Sequence, residues 1–359
     1  MAPSNTTGPP RVSVIVPARN EEATLGPCLQ SLVEQQGVAF EVIVVDDASS
    51  DRTREIAQQF PSVKVLEAPA LPPGRTGKNN ALIAGAISAS GEWLLFTDAD
   101  TIHAPGSLLR SLQEAQRLGV SLLSYSPRQE VQGIVEKSVM PVIFAELAAT
   151  YRPAQVSDPL SPAAAANGQY LLIRREAYTA VGGHAAIAAS ILEDVALARA
   201  VKRSGRKIFF RYGADAVRTR MYRSFAQLRE GWTKNLVLLF PAPGRLAVLR
   251  FIEFLLIATS GIFLLRGSHR ERLKVVFAAV LLIALGLFWK RIRKAHFSWD
   301  ANLLALFGLP IFSYLLLRSK LAHATGNVTW KGRLYAGKTA GLREATAAPA
   351  PGLVEHSRS

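Results

Sequence analysis

Cysteine is almost missing from this chain. Cys28 is the only one in 359 residues, so no disulfide can form within the chain and its fold must rest on its core. The first ten residues, MAPSNTTGPP, hold no lysine, no arginine and no apolar run, so no secretory signal peptide is expected there. Acidic residues are scarce in one part only. Residues 1–198 carry 14 basic and 20 acidic side chains, whereas residues 199–359 carry 28 and 7. The net charge of +15 thus joins a slightly acidic part to a strongly basic one, and a nucleic-acid binder, basic throughout, is not expected to look like this. The apolar share of 49%, with a mean hydropathy of +0.17, excludes a chain disordered throughout, and the length suits one large or two ordinary domains.

What is present is an alternation of short apolar runs and helical patterns. RVSVIVP (11–17), EVIVVD (41–46), VKVL (63–66) and EWLLFTD (92–98) read as strands buried on both faces. Helical patterns fill 21–35, 51–60 and 77–90, with Asp51 placed to cap the second. The alternation predicts an α/β fold with a mostly parallel sheet and helices on its faces. In such sheets ligands bind beyond the carboxyl ends of the strands. Residues 132–150 read as an apolar helix, either buried or lying on a membrane surface. QYLLIRR (169–175), KIFFRYG and ADAVRTRM read as strands, and LEDVALARAVKRSG (192–205) as a helix ended by Gly205.

The last third changes character. Three stretches, 246–265, 275–289 and 301–317, are apolar all round rather than along one stripe. A spanning helix needs about 20 apolar residues, so two or three membrane crossings are expected within residues 236–320. Both links between the stretches carry four Lys/Arg, so the positive-inside rule does not orient them. If the tail VTWKGRLY (328–335) is a cytosolic ending, the number of crossings is even and 246–265, with its Arg250 and Glu253, is the stretch expected to lie in the interface. The tail, 321–359, is expected to be disordered after about residue 338, as are residues 1–10.

Three polar clusters follow three of the strands: Pro17-Ala18-Arg19-Asn20-Glu21-Glu22, Asp46-Asp47-Ala48-Ser49-Ser50-Asp51, and Thr97-Asp98-Ala99-Asp100. One such cluster would be an ordinary turn. Three in order at one sheet edge indicate a ligand site. With these clusters, residues 11–235 strongly resemble the family 2 glycosyltransferases, whose fold is GT-A. Within that family the segments PPGRTGKNNAL (72–82), DADTIHAPGSL (98–108) and RMYRSFAQLREGWTKN (220–235) look most like the membrane-associated hopene-associated and carotenoid-type branch.

The resemblance implies a nucleotide-sugar donor, most simply a UDP-sugar, a lipid or lipid-linked acceptor, and a GT-A domain over 11–235 facing the cytoplasm from the inner membrane. Asp98 and Asp100 place two hard oxygen ligands on one side of an extended chain, which suits Mg²⁺ or Mn²⁺ on the donor diphosphate. Asp100 is the implied direct ligand, and His103, three residues on, reads as a surface histidine near the site. Asp46 and Asp47 can accept the base imide N–H or a ribose hydroxyl, and Pro17, Ala18 and Glu21 line the same pocket by family likeness. Lys78 follows the turn PPGRTG and offers its charge beside helix N–H donors. GRTGK lacks the Gly-x-x-x-x-Gly-Lys spacing of a P-loop. Of the pair Glu193-Asp194, the resemblance makes Asp194 the base that deprotonates an acceptor hydroxyl, with Glu193 holding the acceptor or tuning its neighbour. Gly168 and Gln169 match a segment facing the acceptor. Gln227-Leu228-Arg229-Glu230-Gly231-Trp232 departs from the Gln-x-x-Arg-Trp of polymerising members; Arg229 and Trp232 either handle diphosphate and acceptor or, like Tyr222, anchor the interface. The ten Lys/Arg from Arg199 to Arg229 read as a collar for anionic headgroups, with Arg218 and Arg220 as further candidates for the diphosphate.

Overall fold

The computed structural model describes residues 11–266 and 270–335; residues 1–10 and the tail beyond about 338, both expected to be disordered, lie outside the described residues. The chain runs β1 (Val12–Ala18), α1 (Leu25–Val33), β2 (Phe40–Asp46), α2 (Thr53–Gln58), β3 (Val63–Glu67), α3 (Gly77–Ser88), β4 (Trp93–Phe96), β5 (Thr101–His103), α4 (Ser107–Leu118), β6 (Leu122–Ser126) and β7 (Arg128–Gln129). It continues through α5 (Gly133–Thr150), α6 (Pro153–Ser157), β8 (Leu171–Arg174), α7 (Arg175–Ala180), α8 (Gly183–Ala186), α9 (Glu193–Arg203), β9 (Ile208–Tyr212) and β10 (Val217–Thr219). Then come α10 (Phe225–Leu239), α11 (Pro243–Leu265), α12 (Glu271–Ile292), α13 (Trp299–Ala324) and a short hairpin, β11 (Thr329–Trp330) and β12 (Arg333–Leu334).

Seven strands form one sheet in the order β3-β2-β1-β4-β8-β6-β9. All neighbours are parallel except β8, which runs antiparallel to both β4 and β6. The apolar runs are nearly continuous because both faces are covered. Val14 and Val16 of β1 and Val42 and Val44 of β2 pack under α1 and α4, while Ile15, Ile43 and Val45 pack under α3 and α9. Ala18 pairs with Asp46 in the register of β1 and β2, and Phe96 of β4 pairs with Ile15. The three polar clusters therefore leave the sheet at the same edge. A small sheet, β5-β10-β7, lies beside it. Asp51 does not cap α2 from the N-cap position, where Arg52 sits; its carboxylate instead accepts the Thr53 N–H (3.0 Å) and the Glu22 N–H (3.1 Å), tying two loops together.

Helix α5 packs against α13. α11, α12 and α13 are each long and apolar enough to cross a membrane, with mean hydropathy of 2.1, 2.1 and 1.6. Large apolar side chains such as Phe251, Leu255, Ile283 and Phe307 stay exposed on them, a belt that water would not favour. Arg250 and Glu253 of α11 are both ion-paired. Arg250 pairs with Glu146 of α5 (2.8 Å) and with Glu253 (2.9 Å), and Arg291 of α12 pairs with the same two carboxylates (3.0 and 2.9 Å). Two cations and two anions close a neutral ring that joins α5, α11 and α12.

The joint between α5 and α13 depends on Gly308. A Cβ there would stand 2.0 Å from the Ser138 carbonyl oxygen and 3.0 Å from the Val139 Cα. We expect Gly308→Ala to cost about 1–3 kcal/mol by overpacking, read as a lower thermal unfolding midpoint of the detergent-solubilised protein. Gly261→Ala, with nothing within 4 Å, serves as the control. Equal midpoints for the two variants would contradict this packing.

Candidate active site

The loops after β1 and β2 are stitched to each other. Asn20 and Ala48 both adopt left-handed backbone (φ 52 and 53). The Asn20 side chain accepts the Ser50 N–H (2.9 Å), the Thr53 hydroxyl accepts the Glu21 N–H (2.7 Å), and the Arg19 guanidinium donates to the Asp47 carbonyl (2.6 Å). Asp47 then faces the cavity. Asp46 does not: it is buried beneath the loop, where its carboxylate accepts the Ser49 N–H (3.3 Å).

Lys78 lies in the first turn of α3, which is capped by Thr76 accepting the Asn79 N–H (3.2 Å). The Asn79 amide donates to the carbonyls of Ile187, Ala188 and Ser190 at 3.0–3.1 Å and so fixes the loop that leads into α9. As a result the Lys78 ammonium bridges Asp98 (2.7 Å) and Glu193 (2.6 Å), one from a strand end and one from a helix start. Asp194 follows in the first turn of α9, where the helix dipole favours anions. Its carboxylate accepts the N–H of Gly168 (2.9 Å) and of Val195 (2.8 Å). Gly168 has little room for a side chain: a Cβ would lie 3.2 Å from both the Glu193 carboxylate and the Lys78 ammonium. The Thr97 hydroxyl holds the Gln169 carbonyl (2.8 Å), which ties this segment to the end of β4.

The charges are tuned in opposite directions. Burial, then Glu193, push the Asp194 carboxyl up to about 6, against the pull of Lys78. Burial also pushes Glu193 up, but the adjacent Lys78 ammonium outweighs it and the net shift is down. Burial, with Asp98 and Glu21 nearby, raises Asp100 to about 7. One Asp100 carboxylate oxygen is buried with no hydrogen-bond partner. An unpaired hard oxygen next to a second carboxylate fits a divalent cation. Among the described residues no group of three or more His, Cys, Asp or Glu side chains gathers as a metal cage. Asp98 and Asp100 would therefore hold Mg²⁺ or Mn²⁺ only together with donor oxygens.

These groups line one cavity of about 900 Å³. Pro17, Ala18, Glu21, Asp47, Lys78, Asp98, Asp100, Gly168, Gln169, Glu193, Asp194 and Trp232 all face it; Asp46 and Arg229 do not. Trp232 and Tyr222 are buried cavity residues rather than exposed interface anchors. His103 is not at the surface: it is buried against Tyr170 and close to the hydroxyls of Thr97 (3.1 Å) and Thr101 (3.3 Å), and burial lowers its pKa to about 3. Arg218 and Arg220 stay outside the cavity, paired with Glu130 (2.6 Å) and Glu136 (2.9 Å). Sequence reasoning missed Lys234, Trp330, Lys331, Arg333 and Tyr335, which all line the cavity. For the last four, the signal was the mixture of basic and aromatic residues in VTWKGRLY (328–335).

The mostly parallel sheet thus brings acidic loops to one edge, where an Asp-x-Asp and a carboxylate pair meet across a lysine. Residues 13–182 match the family model described as Glycosyl transferase family 2, so this part of the chain forms a domain of that kind. Its relatives include 4,4'-diaponeurosporenoate glycosyltransferase of Staphylococcus aureus (strain USA300), 27% identical over 341 residues, which are 90% of this chain and 88% of that protein. The protein of the same name from Staphylococcus haemolyticus (strain JCSC1435) is 31% identical over 237 residues, 63% of this chain and 60% of that one. The mannosyltransferase PcManGT from Pyrobaculum calidifontis, solved with GDP-Man and Mn²⁺, superposes with a TM-score of 0.53 at 21% identity, covering 89% of this chain and 88% of that one. That likeness shows the GT-A fold.

Lys78 opposes the rise of the Asp194 carboxyl, so removing its charge lets that carboxyl titrate at higher pH. The acid limb of the pH–turnover profile is expected to move up in Lys78→Met. A limb that stays in place contradicts the bridge.

Proposed function

We propose that this protein is a membrane-anchored inverting glycosyltransferase that moves a sugar from a UDP-sugar to an oxygen of an apolar, carotenoid-like acceptor. One observation carries the reading: a single cavity is lined both by the charged side chains of Asp98, Glu193 and Asp194 and by the apolar ones of Phe144, Leu147 and Leu239. A water-soluble donor and a lipid-soluble acceptor need such a junction. These apolar side chains come from α5 and α10, and α13 packs against both. The names of the curated relatives support the acceptor class. The nucleotide-sugar donor is cytosolic, so the catalytic domain belongs on the cytoplasmic face of the inner membrane.

In this reading Asp47, Glu21 and the backbone of Pro17 and Ala18 seat the nucleoside. Mg²⁺ or Mn²⁺ held by Asp98 and Asp100 supplies Lewis-acid stabilisation of the leaving diphosphate. Asp194, titrating near 6, is a carboxylate at neutral pH and more basic than an ordinary aspartate. It takes the acceptor hydroxyl proton as the acceptor oxygen bonds to the anomeric carbon. The bond from that carbon to the diphosphate oxygen breaks with its electron pair, and displacement from the opposite side inverts the centre. Gly168 orients Asp194 through its N–H, and Lys78 holds Glu193 charged beside it.

A second reading follows from the relatives' name, which is that of an acid. A carboxylate acceptor, like a polyprenyl phosphate, brings an oxygen already charged and needs no strong base. The test is a screen of UDP-sugars by UDP release, with Mg²⁺ or Mn²⁺ and total membrane lipid as acceptor. Turnover should fall as pH drops through about 6, because Asp194 then gains a proton. Asp194→Asn should lose on the order of 10²–10⁴-fold. Activity intact in Asp194→Asn favours the charged acceptor. UDP bound without turnover of any donor supports a non-catalytic protein. Release that depends on neither Asp100 nor Asp194 sinks the proposal.

A further inference from the structure

Three of the site residues that the sequence hid lie on one element. After α13 the chain returns to the cavity as the β11–β12 hairpin, with Trp330 paired to Arg333. Both residues of its turn, Lys331 (φ 46) and Gly332 (φ 75), are left-handed, the geometry of a tight primed turn. A lysine there bears strain that a glycine would not, and such strain concentrates at functional sites. The Lys331 ammonium donates to the Arg19 carbonyl (2.8 Å) and to Glu21. The Arg333 guanidinium pairs with both Asp47 oxygens, one at 3.0 Å, and lies against Gly77 at the start of α3. Lys234 stands 4.9 Å above the Trp330 ring. The far end of the chain thus plants two cations on the carboxylates of the first two strand ends.

The charge balance gives these contacts a purpose. Glu21, Asp47, Asp98, Asp100, Glu193 and Asp194 share the cavity. A diphosphate adds more negative charge, and Arg229 does not line the cavity. We infer that Lys331 and Arg333 bind the diphosphate of the nucleotide donor, exchanging Glu21 and Asp47 for phosphate oxygens. This rests on the glycosyltransferase reading above. When the sugar leaves, the electron pair of the broken bond stays on the terminal phosphate oxygen, and the two cations offset that added charge.

The test is calorimetric titration of the full-length protein in detergent with UDP and GDP, and with uridine and guanosine, in the presence of Mg²⁺. Lys331→Gly removes the charge and relieves the left-handed strain, so the hairpin keeps its shape. Lys331→Gly and Arg333→Gln should each weaken diphosphate binding by about tenfold or more without weakening nucleoside binding, because they free Glu21 and Asp47. Arg333→Lys should restore part of the loss, and Thr329→Ala, on the hairpin but outside the cavity, should change neither affinity. Equal diphosphate affinity in wild type and charge-removing variants overturns the inference, as does a matching loss for the nucleosides. A wild-type protein that binds neither diphosphate overturns the glycosyltransferase reading itself, and this assignment with it.

Discussion

Eight Lys/Arg side chains line one cavity with six carboxylates, and the site depends on how those carboxylates are neutralised. Left alone, such groups raise one another's pKa and take up protons. Asp100 and Asp194 show this, displaced by burial and by like charges to about 7 and 6. Glu193 escapes because Lys78 touches it. Lys78, Lys331 and Arg333 each come from a different or distant segment, and each sits on a particular carboxylate. Lys234 is pushed down from the usual lysine range by burial, with Glu193 pulling it back and Lys78 opposing. A site balanced this closely is suited to a ligand that brings both a metal and a diphosphate.

The same constraint explains the division of charge along the chain. Acidic residues concentrate where strands β1, β2 and β4 end, and part of the basic excess of the later half returns to neutralise them. The rest serves structure. Arg218 and Arg220 satisfy Glu130 and Glu136, and Arg250 and Arg291 close a ring with Glu146 and Glu253. Removing one member of such a partly buried set strands the others. That ring couples α5, which lines the cavity, to two of the apolar helices.

Local spacing made much of this legible. Apolar runs buried on both faces gave away β1 to β4, and the strand ends gave away the carboxylates. The reversed direction of β8 leaves no mark on its own sequence. Strand β6 was hidden by its serines, whose polarity is absorbed inside: the Ser124 hydroxyl donates to the Tyr170 carbonyl (2.9 Å). His103 looked exposed because its partners, Thr97 and Thr101, are small hydroxyls unremarkable in the sequence. Asp46 and Asp47 are neighbours with opposite fates, since only the second turns toward the cavity. The hairpin was out of reach for a plainer reason: Lys331 meets Arg19 across 312 positions, and no periodicity reports a contact of that range.

The central claim is that these carboxylates form a site for a metal and a nucleoside diphosphate together. Mn²⁺ electron paramagnetic resonance, recorded on the protein with and without UDP, tests it most directly. The account predicts weak Mn²⁺ binding alone, tight binding once UDP is present, and loss of the tight signal in Asp100→Asn. Mn²⁺ binding that UDP does not strengthen, or that survives in Asp100→Asn, would contradict it.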